Sequence, residues 1–149
     1  MTELQETTES VMTNRRNFIR SKIALKMCGF FFDQGDAGER AYSGCFMCKT
    51  IDMSEGGMQV MHNGSLKPGD MVELRTKNAI SFPKCMKCDK YYNMRSKIEL
   101  MPLTARVIWT QGNRCGLEYI KLSNFNRNVI SRIVWQKHIE EIKKQSEIK

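Results

Sequence analysis

The feature that most constrains the fold is a succession of short apolar stretches, each closed by a turn signal, with a helix-spaced segment only at the C-terminal end. Residues 22–27 alternate and run into Cys28-Gly29-Phe30-Phe31-Phe32, a first strand. Three glycines and two aspartates in residues 33–44 predict a loop. Residues 45–52 read as a second strand, 53–57 as a turn and 58–61 as a third strand. Lys67-Pro68-Gly69-Asp70 is a turn, with proline and glycine in their usual roles, and residues 71–75 alternate as a fourth strand. Residues 98–110 form a fifth strand, where Pro102 points to a bulge or an edge. Gln111-Gly112-Asn113-Arg114 is a hairpin turn, and residues 115–121 a sixth strand. Ser123 can then cap a helix over about 124–145, with Phe125, Val129, Ile130, Ile133 and Val134 at helical spacing and Lys143 and Lys144 suited to its C-terminal dipole. Short strands followed by one helix argue for a small antiparallel barrel or sandwich with a packed helix.

A chain of 149 residues with 41 % hydrophobic and 27 % charged residues fits one globular domain, which excludes wholesale disorder, collagen-like repeats and a coiled-coil rod. Residues 1–13 read as a flexible tail, and 14–149 as the single domain, with a polar, basic insertion over 77–97. No apolar run is long enough to cross a bilayer, and the N-terminus lacks the basic start and apolar centre of a secretory signal, so a cytoplasmic location is expected. There, six cysteines mean thiols or metal ligands, not a disulfide framework. The net charge of +8 divides into −3 on the tail, from Glu3, Glu6 and Glu9, and +11 on the remaining 136 residues. A basic body points to an anionic partner such as a nucleic acid, a nucleotide or an acidic membrane surface, or is simply an ordinary lysine-rich surface.

Two patterns stand out in their order. Arg16-x-x-x-Arg20 comes first, and Asp52-x-Ser54-x-x-Gly57 follows at a strand-to-turn junction. Taken singly, the first is common on solvated basic faces, and the second is usually a turn whose Asp and Ser bond their own backbone. They are accompanied by Lys67-Pro68-Gly69-Asp70-x-Val72-x-Leu74 and by Ala105-Arg106-Val107-Ile108-Trp109 leading to Gly116-Leu117-Glu118-Tyr119. The combination resembles the PilZ domain, a bacterial receptor family for cyclic di-GMP, from about Asn14 to the C-terminal helix. The resemblance implies a six-stranded antiparallel β-barrel with a C-terminal helix, and a ligand clasped against the outside of the barrel by the N-terminal arginine segment. It assigns Arg16 and Arg20 as the arginine pair and Asp52, Ser54 and Gly57 as the turn residues. It also implies that Arg15 supports binding of an intercalated ligand dimer.

The chemistry agrees. An arginine fork matches guanine O6 and N7 or phosphate oxygens, and its plane stacks on a purine. The Asp52 carboxylate can accept from a guanine's Watson–Crick edge, Ser54 can add a hydroxyl, and Gly57 permits a positive φ or a close approach of backbone to ligand. Residues 14–20 are expected to order when the anionic ligand binds.

The chain also carries two cysteine pairs, Cys45-Phe46-Met47-Cys48 and Cys85-Met86-Lys87-Cys88. Two such pairs commonly supply four thiolates to a tetrahedral structural zinc, here replacing the core that the insertion lacks. Cys48, Thr50, Asp52 and Ser54 fall on alternate positions, so a regular strand would point them to one face. The zinc would then clamp the strand that presents Asp52, about 13 Å away. Cys28 and Cys115 read as packing residues, and His62 and His138 as structural or exposed.

No catalytic constellation emerges, so the expected role is a receptor, not an enzyme. It would pass the cyclic di-GMP signal to an unidentified protein partner acting on motility, adhesion or surface polysaccharide, without membrane insertion and without nucleic acid. The alternatives are a zinc-ribbon nucleic-acid binder using Lys84, Lys87, Lys90, Arg95 and Lys97, and a thiol-redox protein using the Cys-x-x-Cys pairs.

Overall fold

The computed structural model describes residues 19–76 and 98–148. Six strands, β1 (Lys26–Gln34), β2 (Arg40–Met53), β3 (Gly57–His62), β4 (Met71–Arg75), β5 (Leu103–Gln111) and β6 (Arg114–Tyr119), precede one helix, α1 (Asn124–Ile148). All neighbouring strands are antiparallel, and they close in the order β1-β2-β3-β6-β5-β4. The expected six-stranded barrel with a C-terminal helix is therefore the fold. Closure removes exposed sheet edges, and the strand alternation fills the interior. Met27, Cys48, Met58, Val60, Val72, Leu74, Ala105, Val107, Cys115 and Leu117 are all buried in one core cluster.

The elements differ from the sequence reading in four places. The predicted loop over 33–44 is mostly strand, because β1 and β2 continue pairing to Gln34↔Arg40 around a short turn in which Gly38 takes φ 86°. The first strand starts at Lys26 and not at residue 22, and the segment before it stays beside β2, bonded to Thr50 and, at Ser21, to Met53. The Thr50 hydroxyl donates to the Ile23 carbonyl and accepts from the Leu25 amide. The fifth strand begins after Pro102, and its bulge lies between Val107 and Trp109. Finally, Phe125 is half exposed, and the inward face of α1 is Asn126, Ile130 and Val134. Asn126 takes a core-facing position because its side chain accepts from Met101 N (2.8 Å) and donates to Met101 O (3.0 Å), satisfying backbone groups that no strand pairs. Ser123 caps the helix as expected, accepting from Asn126 N at 3.2 Å.

A second cluster lies on the outer surface of β1, β2, β4 and β5. Glu73, 4 % exposed, accepts from Arg40 at 2.7 Å, from Arg75 at 2.7 and 2.8 Å and from the Tyr42 hydroxyl at 3.1 Å. Arg40 also donates to Thr104 and stacks over the Phe32 ring at 4.2 Å. The proposed insertion over 77–97 and the tail over 1–13 lie outside the described residues.

Candidate functional site

The site is assembled by a backbone bridge, a bulge and a tight turn. Ser21 and Met53 exchange backbone hydrogen bonds at 3.0 Å each way, and the Ser21 hydroxyl donates to Val134 O on α1 at 2.9 Å. The segment entering the barrel is thus pinned to β2 and to the helix one residue after Arg20. Arg20 is thereby set beside Asp52, and its guanidinium donates to the carboxylate at 2.8 Å.

Asp52 reaches that position because of a bulge. On β2, Cys48 pairs with His62 and Thr50 with Val60, but Asp52 pairs with Gln59, so Ile51 is an extra residue. The bulge shifts the alternation by one, so the buried Thr50 is followed by an Asp52 side chain that is 22 % exposed. The expectation that Cys48, Thr50, Asp52 and Ser54 share one face is therefore corrected: a regular strand would have turned the Asp52 carboxylate into the core.

Ser54 and Gly57 shape the turn. The Ser54 hydroxyl accepts from Gly56 N and Gly57 N and lies 3.2 Å from Gly57 O, and Ser54 is 1 % exposed. Its hydroxyl is thus engaged with its own turn, next to Asp52 on β2. Gly57 does not have positive φ; a Cβ there would lie 2.2 Å from Leu117 O on β6. The close approach that needs glycine in this structure is strand to strand. Gly57→Ala should force β3 away from β6 and lower stability by about 2 kcal/mol, the usual scale of overpacking. Urea unfolding that leaves the midpoint unchanged would contradict this.

Arg20, Ser54, Gly57, Ile108, Leu117 and Glu118 line a recess of about 40 Å³. That volume holds a water or two, not a dinucleotide, so a large ligand would lie over the barrel's outside. A larger groove of about 440 Å³, lined by Lys26, Lys49, His62 and Asn113 among others, sits beside the middle of β2 and the far end of β3 and shares no residue with the recess. Arg15 and Arg16 lie outside the described residues. Sequence reasoning noted Ile108, Glu118 and Tyr119 within motifs but gave them no role. Ile108 is the extra residue of the β5 bulge, and Glu118 pairs directly with Gly57. Tyr119 is 9 % exposed, and its phenol has no hydrogen-bond partner among the described residues.

The zinc reading finds no support among the described residues. Cys45 is exposed and Cys48 is 4 % exposed in the core, because both lie in the regular part of β2 and residues three apart face opposite sides. A metal knuckle needs a turn between its cysteines, and here there is a strand. Burial, followed by the fields of Cys115 and Cys28, pushes the Cys48 thiol far above its ordinary range. Among the described residues, no three His, Cys, Asp or Glu side chains group to hold a metal, and Cys85 and Cys88 lie outside them. The same strand geometry excludes a Cys45–Cys48 disulfide, since the two are about 10 Å apart along an extended chain. Cys28 and Cys115 are buried as expected, and burial raises the Cys115 thiol to about 11.

Comparison with known proteins places this arrangement. The PilZ domain of YcgR from Escherichia coli, solved with c-di-GMP, superposes with a TM-score of 0.50 at 14 % identity, over 89 % of this chain and 98 % of that one. Full YcgR from Escherichia coli in complex with c-di-GMP gives 0.52 at 16 % identity, over 91 % of this chain and 51 % of the longer one. These likenesses are of fold. No curated protein sequence matches the chain. The family model for the PilZ domain matches residues 14–136, spanning both motifs, all six strands and the first half of α1, and the chain belongs to the PilZ domain family.

Proposed function

We propose that this protein is a receptor for cyclic di-GMP that transmits the second-messenger signal to a protein partner. The observation that carries the reading is the Arg20–Asp52 pair, held on the outer surface by the Ser21–Met53 bridge and the Ile51 bulge. A guanidinium fork and a carboxylate side by side present the donors and acceptors that a guanine base and its adjoining phosphate require. Arg16 and Arg15 precede Arg20 in the chain and would add two further cations for the ligand's two phosphates, closing over it as the segment docks. Ser54 and Gly57 hold the turn that carries Asp52. The output would act on motility, adhesion or surface polysaccharide from the cytoplasm. No helix among the described residues is long and apolar enough to cross a membrane.

Isothermal titration tests the reading. Saturable heat with cyclic di-GMP is expected, and none with GMP at the same concentration. A stoichiometry of two ligands per chain is expected from the Arg15 role; one per chain would remove that role and leave the receptor. Absence of any cyclic di-GMP binding would overturn the proposal.

A further inference from the structure

The Tyr119 phenol lies near the site, is buried and has no hydrogen-bond partner among the described residues. A hydroxyl left in that condition is costly, so its persistence calls for a state in which it is satisfied. Its surroundings indicate which state. Tyr119 follows Glu118, the strand partner of Gly57, and its backbone amide donates to Gly56 O at 3.3 Å, which ties it to the turn that carries Asp52. Its side chain lies in the core cluster with Met53, the neighbour of Asp52 and the bridge partner of Ser21. Burial first, and then the charges of Arg20 and Asp52 acting in opposite directions, shift its pKa upward, so the phenol stands within reach of both fields and keeps its proton.

We propose that Tyr119 is a positioning residue for the ligand site, whose hydroxyl donates to the Asp52 carboxylate when Arg20 turns from Asp52 to the ligand. This rests on the receptor reading. Without ligand, Asp52 Oδ1 is served by Arg20 at 2.8 Å. A ligand that takes the arginine fork withdraws that donor. A carboxylate has room for about four donors, so one oxygen can face a guanine edge while the other accepts from the phenol. The exchange pairs a buried donor, fixes the orientation of the carboxylate and favours the liganded arrangement. The phenol is closed to solvent, so the partner it gains is a protein group that shifts and not the ligand itself.

The test compares wild type, Tyr119→Phe, Asp52→Ala and the double variant by titration with cyclic di-GMP and by thermal unfolding. Tyr119→Phe keeps the ring and its packing. Expected are a fivefold to tenfold weaker affinity, on the order of one charge-assisted hydrogen bond, and an unliganded melting temperature equal to or above wild type. In the Asp52→Ala background the same change should cost less than twofold. With tyrosine labelled at Cζ, ligand should shift the resonance that Tyr119→Phe removes. Unchanged affinity in Tyr119→Phe, or an equal loss with and without Asp52, would overturn the inference while wild-type binding keeps the receptor reading. A wild-type protein that does not bind cyclic di-GMP would overturn both.

Discussion

Arg20→Ala is expected to weaken cyclic di-GMP binding by about 2 kcal/mol, roughly thirtyfold, with the unliganded fold intact. The side chain is half exposed and its partner is a single carboxylate on the barrel surface, so the ion pair itself contributes little to stability. What the residue supplies is a fork aimed outward from a segment whose backbone is pinned at Ser21. Loss of the fork removes a charged donor from a ligand group that has been taken out of water, which costs far more than loss of a surface pair. Arg20→Lys keeps the charge but not the bidentate plane, and should recover only part of the affinity. The measurement is a titration of each variant beside its urea-unfolding midpoint. Full affinity in Arg20→Ala with an unchanged midpoint would remove Arg20 from the site.

The barrel was legible because period-two alternation and turn signals are local properties of the chain. Pro68-Gly69 and Gly112-Asn113 mark turns wherever they occur. The pairing order β3-β6-β5-β4 was not readable from alternation and entered through the family resemblance. The site was legible as motif residues but not as roles. Ser54 and Gly57 look like ligand contacts in the sequence, yet one is engaged with its own turn and the other yields to the Leu117 carbonyl. The first is local, a turn closed on itself, but the second depends on how close β6 comes. The Ile51 bulge escaped notice for the same reason. A strand of alternating residues carries no mark of where its partner skips one, and that skip decides whether Asp52 faces core or ligand. The Cys45–Cys48 pair differs from its reading in the opposite direction. Cys-x-x-Cys implies a knuckle only where the chain turns, and apolar Phe46 and Met47 between the cysteines continue a strand. Tyr119 carried no signal at all, since an inward tyrosine on a strand normally packs like any aromatic residue, and only its missing partner sets it apart.

Glu73→Ala should produce the largest loss of stability, about 3 kcal/mol, with ligand affinity unchanged. The carboxylate is 5 % exposed and holds two guanidiniums whose side chains are 29 % and 17 % exposed. Removing it leaves two like charges facing one another, half desolvated, with no anion between them. The arginines can still reach some water, which keeps the cost near the lower end for a broken buried pair. The Tyr42 hydroxyl loses its acceptors as well. The cluster joins the far ends of β1 and β2 to β4 and β5, so its loss loosens the seam where the barrel closes between β1 and β4. Glu73→Gln separates charge from shape: it keeps an acceptor for the arginines and should cost about half as much. The proposed ligand site lies on β3, β6 and the other end of β2, with Arg20 reaching it from the segment before β1, so binding measured well below the unfolding transition should match wild type in both variants. A loss under 1 kcal/mol in Glu73→Ala would mean that the cluster is a solvated surface pair, and reduced affinity in a folded Glu73→Gln would mean that the closing seam and the ligand site are coupled.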